Sequence, residues 1–270
     1  MGTQDFGGNW TLLKLDAVDG YLKFYTTALK KQNFKLCYID AFAGSGSVVI
    51  NSGEAVEGSA LRALRYPFDR YYFFEKNQNY CNELREKITG AQSEKVHIHN
   101  ADCNELLRTI DTADWIGNGW RGVIFLDPYA MNLTWECLEK ISTTQAFDVW
   151  YLFPFSALNR NLFNNKPIPD ANKQAITRLL GTTEWEKALY KESAQLSFFE
   201  TNYEKERTDG IRDYILERMG TIFPTVSPEA RFLRNEKNSP VFLLCFLGSN
   251  PSKAARGLSL KAANHILSHL

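Results

Sequence analysis

Three acidic residues stand where apolar, strand-like runs of the sequence end. Asp40 closes the first run and leads into a tight turn with Gly44 and Gly46. Glu75 ends the second run, and Asp102 follows the third. In a doubly wound α/β domain the ligand lies against the carboxyl ends of the strands, where glycines let the backbone approach it closely. The pattern predicts a site for an adenosine-containing ligand, with Glu75 on the ribose hydroxyls and Asp102 on the adenine amino group.

The glycine turn differs from two common nucleotide-binding motifs. A dinucleotide fingerprint has a third glycine three residues after the second, and Val49 occupies that position. A P-loop continues with Gly-Lys-Ser/Thr, which does not follow this turn. Each acid taken alone could equally cap a turn or a helix. Their occurrence at three successive strand ends favours the ligand site, and a nicotinamide-dependent oxidoreductase is the weaker alternative.

A second candidate for chemistry is the segment Asp127-Pro128-Tyr129, which closes the fourth apolar run. A carboxylate and a proline carbonyl there can accept hydrogen bonds from an amine and aim its lone pair at a reacting carbon. The aromatic ring offers a stacking face for an extruded base. Enzymes that methylate amines carry two prolines in the related segment and this chain has one, so nitrogen and oxygen both stay open as the acceptor atom. The alternative is a strand-end turn with Tyr129 as a packing residue.

The histidines and Cys137 do not form a recognisable metal or nucleophile motif. His97 and His99 share one face of the third strand, and His265 and His269 lie one helical turn apart without a third ligand. We expect all four to be surface or packing residues and predict no metal site. No Pro-Cys pair is present to supply a cytosine-C5 methylase nucleophile, and Cys137 falls in an apolar helical pattern, so we expect a core residue.

Strands and helices alternate five times in about 120 residues, which is the pattern of a parallel sheet covered by helices on both faces. An amphipathic helix over 11–32 precedes the first strand. The predicted strands cover 35–42, 70–75, 96–99, 122–126 and 147–153. The predicted helices between them cover 59–64, 77–88, 104–110 and 134–141, with a polar loop over 44–58. We predict an α/β fold, doubly wound and Rossmann-like, with a mostly parallel seven-stranded sheet.

Residues 155–200 interrupt this alternation. Segment 159–167 is polar and loop-like, and helical patterns follow at 173–180 and around Trp185. We interpret 155–200 as a helical cap or insertion within a single domain of residues 1–270. The remainder predicts a charged helix over 203–219, a strand pair at 230–234 and 241–248, and a closing helix over 252–270.

The bulk properties exclude some classes of protein. The 270 residues include 31 basic and 31 acidic side chains, so the formal net charge is zero. Neutrality argues against a surface that grips nucleic acid everywhere, although a local basic groove stays open. The cysteines Cys37, Cys81, Cys103, Cys137 and Cys245 are odd in number and widely spaced, so we expect reduced thiols and a cytoplasmic protein. No apolar run approaches the roughly 20 residues that span a bilayer, so we expect no membrane partner.

The glycine turn also carries a resemblance. Segment Asp40-Ala-Phe-Ala-Gly-Ser-Gly46 resembles motif I of class I methyltransferases, in the form seen in nucleic-acid methylases. The whole chain resembles the three-Cys-motif partner family (TcmP) over roughly residues 9–265. The matching segments are Tyr38-Ile-Asp-Ala-Phe-Ala-Gly-Ser-Gly46, Gly58-Ser-Ala-Leu-Arg62, Phe73-Phe-Glu-Lys-Asn77, Phe125-Leu-Asp-Pro-Tyr129 with Trp135, Tyr151-Leu-Phe-Pro154, and Gly181 with Trp185.

The resemblance implies a class I methyltransferase fold with S-adenosyl-L-methionine as its cofactor. The implied cofactor contacts are Asp40, Phe42, Ala43, Gly44, Gly46, Glu75, Lys76, Asp102 and Cys103. Asp127, Pro128 and Tyr129 would orient the methyl acceptor, a nitrogen or oxygen of a nucleic acid. In that family the three cysteines belong to a separate neighbour protein, so a cysteine-motif protein is a second expected partner.

Two questions about function stay open at the level of sequence. The chain could be a catalytically silent module that keeps the fold and binds the cysteine-motif protein. Within 155–200, the basic residues Arg160, Lys166, Lys173 and Arg178 are interleaved with aromatic residues. They predict either a flap that holds a nucleic-acid backbone or a solvated helix face.

Overall fold

The computed structural model describes residues 9–90, 92–110, 114–163, 167–192 and 203–270. Within these ranges the strands are β1 (Lys35–Asp40), β2 (Ser47–Val49), β3 (Ala55–Glu57), β4 (Arg70–Phe74), β5 (Val96–His99), β6 (Trp120–Leu126), β7 (Phe147–Phe153), β8 (Tyr190–Glu192), β9 (Tyr203–Lys205), β10 (Thr225–Val226), β11 (Arg231–Arg234) and β12 (Pro240–Gly248). The α-helices are α1 (Asn9–Leu29), α2 (Ser59–Ala63), α3 (Gln78–Lys87), α4 (Leu106–Thr109), α5 (Trp135–Thr143), α6 (Phe155–Asn161), α7 (Asp170–Leu180), α8 (Trp185–Ala188), α9 (Thr208–Gly220) and α10 (Lys253–Ser268).

The main sheet has the strand order β10-β12-β7-β6-β1-β4-β5, and β11 also pairs with β12. Strands β5, β4, β1, β6 and β7 are mutually parallel, and β12 runs antiparallel to β7. Strands β10 and β11 pair with different parts of β12, at Leu247–Gly248 and Pro240–Leu244, so together they fill one edge position. The mostly parallel, doubly wound sheet predicted from the sequence is confirmed, and its eight strands fill the seven predicted positions because the edge strand is broken in two.

The alternation of side chains along the central strands divides the core into two layers. In β1, Cys37 and Ile39 face one layer, while Leu36 and Tyr38 face the other, as the two-residue repeat of a strand requires. Helices α1, α2 and α10 contribute buried residues to the second layer, and α5, α7 and α9 contribute to the first. Helices therefore cover both faces of the sheet, which is why the parallel strands are apolar along nearly their whole length.

Most predicted elements of the sheet are confirmed. Each of the five parallel strands lies within two residues of its predicted ends. The helix predicted at 77–88 is α3, and Asn77 caps it, because its side-chain oxygen accepts the amide of Asn79 at 2.9 Å. The hairpin predicted at 230–248 is β11 with β12.

Three local predictions outside the parallel strands were wrong. The loop at 44–58 contains the antiparallel hairpin of β2 and β3. Segment 159–161, predicted as loop, is the end of α6, whose Phe155 and Leu158 are buried against the core. Residues 203–205, predicted as helix, form β9 because they pair with β8, and this long-range pairing outweighs the local helical pattern.

The described part of the segment 155–200, interpreted as a cap, contains α6, α7, α8 and β8. Residues 164–166, with Lys166, and 193–200 lie outside the described residues. Strand β9 and helix α9 follow before β10. No described helix is both long enough and apolar enough to cross a membrane.

A partly buried hydrogen bond fixes α1 to the sheet. The hydroxyl of Tyr21 donates to Oδ2 of Asp148 in β7 at 2.7 Å, and Tyr21 is fully buried. Burial raises the pKa of Asp148 to about 7, although the hydrogen bond from Tyr21 lowers it in part. The protonated acid is therefore the form that the fold favours below neutral pH.

We predict that Asp148→Asn makes the protein more stable at pH 8. A carboxyl whose pKa is higher in the folded state stabilises the fold below its unfolded pKa, near 4, and this contribution is lost as pH rises towards 7. The asparagine carries no charge and still accepts a hydrogen bond from Tyr21. Its free energy of unfolding should therefore exceed that of wild type by on the order of 4 kcal/mol above pH 7, and by less at pH 5. Urea unfolding across pH 5–8 measures it.

The matched variant Tyr21→Phe removes the hydroxyl that donates to Asp148 and keeps the Asp148 carboxyl. It should destabilise the protein by roughly 1.5–3 kcal/mol where the carboxylate is ionised. Stability curves of Asp148→Asn and wild type that run parallel from pH 5 to 8 would show that Asp148 titrates normally.

Candidate functional site

The carboxyl ends of the parallel strands bring the predicted acids to one edge of the sheet. Asp40 is the last residue of β1, Glu75 directly follows β4, and Asp127 directly follows β6. Asp102 lies three residues beyond β5. Strand β1 lies between β4 and β6, so the strand order reverses at β1, and we call this position the switch point. Ligands bind at such a position in open α/β sheets.

Glu75 ties the glycine turn to the end of β4. Its Oε2 accepts the amide of Gly44 at 3.0 Å, and its Oε1 accepts the amide of Asn77 at 2.6 Å. The backbone carbonyl of Glu75 accepts Nδ2 of Asn100 at 3.0 Å, a contact that sequence reasoning missed. A carboxylate oxygen has two lone pairs, so each Glu75 oxygen keeps one for a ligand hydroxyl.

The two glycines of the turn have different reasons to be glycine. Both have positive φ angles, +59° at Gly44 and +80° at Gly46. A Cβ on Gly46 would stand 2.8 Å from Cδ1 of Leu84, so close packing excludes a side chain. A Cβ on Gly44 would meet no atom within 4 Å. Gly44 therefore borders open space, as a residue beside a ligand should.

Asp40 is a buried carboxyl behind the turn. Its Oδ1 accepts the amide of Phe42 at 3.1 Å, and the amide of Ala43 donates to the carbonyl of Phe74 at 2.9 Å. Burial raises the pKa of Asp40 to about 6, with hydrogen bonds from Ser59 and Phe42 opposing and the charge of Asp127 adding to the rise. Asp40 thus orders the turn and is mostly ionised at pH 7.

Asp102 is held by three neighbours. Its Oδ1 accepts the amide of Asn104 at 2.9 Å, and its Oδ2 pairs with Nζ of Lys76 at 3.1 Å. Burial alone raises the pKa of Asp102, but the bonds from Asn104 and Lys76 outweigh it, so the pKa is lowered. Cys103 is buried beside it, and burial raises the pKa of its thiol above the ordinary range. The Lys76 side chain is 80% exposed, so it can swing away from Oδ2.

Asp127 has a partner that sequence reasoning missed. Nζ of Lys14 in α1 forms an ion pair with Oδ2 of Asp127, and their side chains are only 9% and 23% exposed. Lys14 also lies 5.1 Å from the ring centroid of Trp10. A signal was present, because Lys14 shares the buried face of α1 with Thr11 and Val18, three residues before it and four after. A lysine on such a face needs a buried acidic partner.

The segment after Asp127 is exposed and conformationally constrained. Tyr129 is 65% exposed, so most of its side chain is accessible to solvent. The next residue, Ala130, has a φ of +51°, an uncommon conformation outside glycine. Asn104 connects this loop to the Asp102 loop, since its Nδ2 donates to the carbonyl of Asn132 at 2.9 Å.

The other candidate residues belong to packing rather than to a site. His99 stacks on Phe74 with ring centroids 4.8 Å apart, and His97 stacks on Tyr72 at 5.2 Å. Burial lowers the pKa of both histidines, which favours the neutral ring. Among the described residues no group of three histidine, cysteine or acidic side chains could hold a metal. The cysteines, Cys137 included, are free and buried.

An acidic neighbour offsets part of the positive charge of the cap residues. Lys173 forms an ion pair with Glu186 at 3.0 Å, which offsets its charge. Arg160 and Arg178 are exposed. A groove of about 420 Å³ lies near the amino end of β7 and is lined by Ser142, Gln145, Thr221 and Ser249, among others. It is at the opposite edge of the sheet from the strand-end acids, so it is separate from this site.

Comparisons with known proteins support the fold. No protein-family model and no curated protein matches the sequence. A Legionella pneumophila protein of family DUF519 is similar in structure, with TM-score 0.50, 12% identity, and 97% of this chain and 94% of that chain covered. A Mesorhizobium loti S-adenosylmethionine-dependent methyltransferase gives TM-score 0.42 at 12% identity, covering 84% and 97%. A Streptococcus thermophilus rRNA methylase gives 0.39 at 10%, covering 86% and 93%. The likeness to the Legionella protein, at 12% identity, concerns the fold alone.

We predict that Gly46→Ala destabilises the protein more than Gly44→Ala. Both substitutions place an alanine at positive φ, which costs about 1 kcal/mol. Only the alanine at 46 also collides with Leu84, which adds roughly 1–3 kcal/mol for overpacking. Urea unfolding of the two variants gives the comparison, and equal loss of stability would show that the turn does not pack as described.

Proposed function

We propose that this chain is an S-adenosylmethionine-dependent methyltransferase that binds its cofactor over Gly44 and Gly46. The observation that carries the proposal is Glu75, whose oxygens hold the amides of Gly44 and Asn77 and each keep a lone pair. Two such acceptors suit the vicinal hydroxyls of a ribose. Gly44 itself borders open space. Asp102 would accept the adenine amino group once Lys76 has moved from its Oδ2. Phe42, Ala43 and Cys103 would line the same site.

Asp40 would supply a negative charge near the cationic end of the cofactor. The bound cofactor supplies an electrophilic methyl group on a sulfonium, and it also carries an ammonium. Because burial raises the pKa of Asp40 to about 6, the side chain is neutral in mild acid and ionised at pH 7. A neighbouring cation favours the ionised carboxylate, so binding and ionisation support each other.

Asp127, Pro128 and Tyr129 would receive the methyl acceptor. Asp127 follows β6 at the switch point and can accept a proton or a hydrogen bond from the attacking group. The exposed ring of Tyr129 suits stacking on a nucleic-acid base. Transfer would proceed by direct in-line attack, without a covalent enzyme intermediate, because the described cysteines are buried thiols.

The finer assignments rest on the sequence. We propose membership of the three-Cys-motif partner family, a cysteine-motif protein as partner, and a cytoplasmic location that suits the buried free thiols. We further propose one domain, with residues 155–200 as a cap or insertion within it. The helix α6 follows β7 directly and so begins at the edge that carries the acids.

We predict that Glu75→Ala weakens binding of S-adenosylmethionine and S-adenosylhomocysteine by about 10- to 100-fold. The variant loses charged acceptors for the ribose, and each hydrogen bond to a charged group contributes roughly 1.5–3 kcal/mol. Isothermal titration calorimetry on wild type and variant measures the affinities.

Glu86→Ala is the matched control, because Glu86 is an exposed glutamate on α3, the helix that follows Glu75. It should bind both ligands like wild type. A folded wild-type protein that binds neither ligand would refute the cofactor assignment and favour the catalytically silent partner module.

We predict that Asp127→Asn lowers methyl transfer at least 100-fold while S-adenosylhomocysteine still binds normally. Asparagine keeps the shape but cannot take a proton from the acceptor. Tritium transfer from labelled cofactor to cellular RNA, DNA and protein measures the rate, with Asp209→Asn as the exposed control. Transfer at the wild-type rate by Asp127→Asn would remove this residue from the acceptor site.

A further inference from the structure

Lys14 places a positive charge where the acceptor would sit. Its Nζ contacts Oδ2 of Asp127, and both side chains are largely buried. The ring of Trp10 lies over the same ammonium at 5.1 Å, which restricts the lysine further. Among the described residues, Asp40 and Tyr38 of β1 also interact electrostatically with Asp127. A lysine–aspartate pair therefore stands at the switch point beside the proposed methyl donor.

The sign of this charge discriminates between acceptor atoms. An amine that attacks a methyl group gains positive charge as the new bond forms, and a neighbouring ammonium opposes that gain. A hydroxyl that attacks gives up its proton and gains negative charge on oxygen, which an ammonium stabilises. Lys14 thus favours an oxygen acceptor and disfavours a nitrogen acceptor.

One oxygen of Asp127 lies away from the ammonium and can accept the proton of a hydroxyl. Lys14 occupies Oδ2 of Asp127, which leaves Oδ1 as the oxygen without this cation. A hydroxyl has one proton to donate, so one carboxylate oxygen is enough.

We propose that the methyl acceptor is the ribose 2′-hydroxyl of an RNA, with Lys14 as a positioning residue that holds Asp127 and stabilises the oxygen nucleophile. The proposal rests on the methyltransferase function proposed above. Within a nucleic-acid chain the internal hydroxyl is found on ribose and not on deoxyribose, so an oxygen acceptor selects RNA over DNA. The exposed Tyr129 ring would stack on the neighbouring base.

The step balances without a further reactant. The 2′ oxygen bonds to the methyl carbon while the carbon–sulfur bond breaks, and its electron pair stays on sulfur. The hydroxyl proton passes to Oδ1 of Asp127 and then to water. The products are a 2′-O-methyl ribose, S-adenosylhomocysteine and a proton, and Lys14 keeps its charge throughout.

The position of the methyl group on the product tests the proposal with the wild-type protein. Total cellular RNA and genomic DNA are incubated with tritium-labelled S-adenosylmethionine, and the RNA is then cleaved with alkali. Alkaline cleavage needs a free 2′-hydroxyl, so a 2′-O-methyl group protects its dinucleotide, whereas a methylated base is released in a mononucleotide. We expect label in alkali-stable dinucleotides of RNA and no label in DNA.

Label in RNA mononucleotides or in DNA overturns the proposal. So does a protein that binds S-adenosylmethionine in the calorimeter but labels no RNA, or labels only protein. The underlying methyltransferase function fails separately, by the absence of cofactor binding, so the two failures are distinguishable.

Variants of Lys14 test its positioning role. Lys14→Met should lower the rate on RNA about 100-fold with the affinity for S-adenosylhomocysteine unchanged, and Lys14→Arg should restore much of it. The deficit of Lys14→Met should shrink as pH rises, because the hydroxyl then loses its proton without a cation nearby. Lys23→Met is the control, since Lys23 is exposed on the same helix. A deficit that is the same at every pH would assign Lys14 a structural role alone and overturn its part in the reaction.

Discussion

The position of β1 between β4 and β6 is the constraint on which the site depends. Parallel strands direct their carboxyl ends to one edge, so the acids that follow β1, β4 and β6 are gathered there. Burial raises the pKa of Asp40, and repulsion from the nearby charge of Asp127 adds to the rise. The ion pair with Lys14 offsets this repulsion without neutralising both acids. The edge keeps a negative charge that suits a cationic ligand.

Helix α1 is therefore part of the site as well as a cover for the sheet. Lys14 reaches Asp127 at the carboxyl end of β6, and Tyr21 reaches Asp148 near the amino end of β7. Lys14 and Tyr21 are seven residues apart, which is about two turns or 10 Å along a helix. The two side chains therefore lie on the same face of α1. The helix is thus held at two points along the strands. This double attachment fixes the height of the Lys14 ammonium relative to the strand ends.

The sequence predicted the sheet well because its signals are local. Apolar runs marked β1, β4 and β7, and buried strands need little else. The contact of Lys14 with Asp127 was not predicted, because the two residues are 113 positions apart. The only sequence signal for this contact was the place of Lys14 on the apolar face of the helix. The strand at 203–205 was not predicted for the same reason, since a local sequence pattern does not reveal its pairing with β8. The site residues predicted from motif and resemblance stand at the edge where the fold places them, but their contacts with a ligand stay predictions.

Glu75 shows how the fold prepares the proposed site before any ligand arrives. Its carboxylate already holds the amides of Gly44 and Asn77, so the turn and the start of α3 have one anchor. Asn100 and the thiol of Cys81 fix the backbone carbonyl of the same residue, at 3.0 and 3.3 Å. The lone pairs left for a ribose are therefore aimed by contacts that the protein makes with itself. Less ordering is needed on binding, which lowers its entropic cost. Since one carboxylate both orders the turn and would hold the ligand, the bound ligand should stabilise the turn in return.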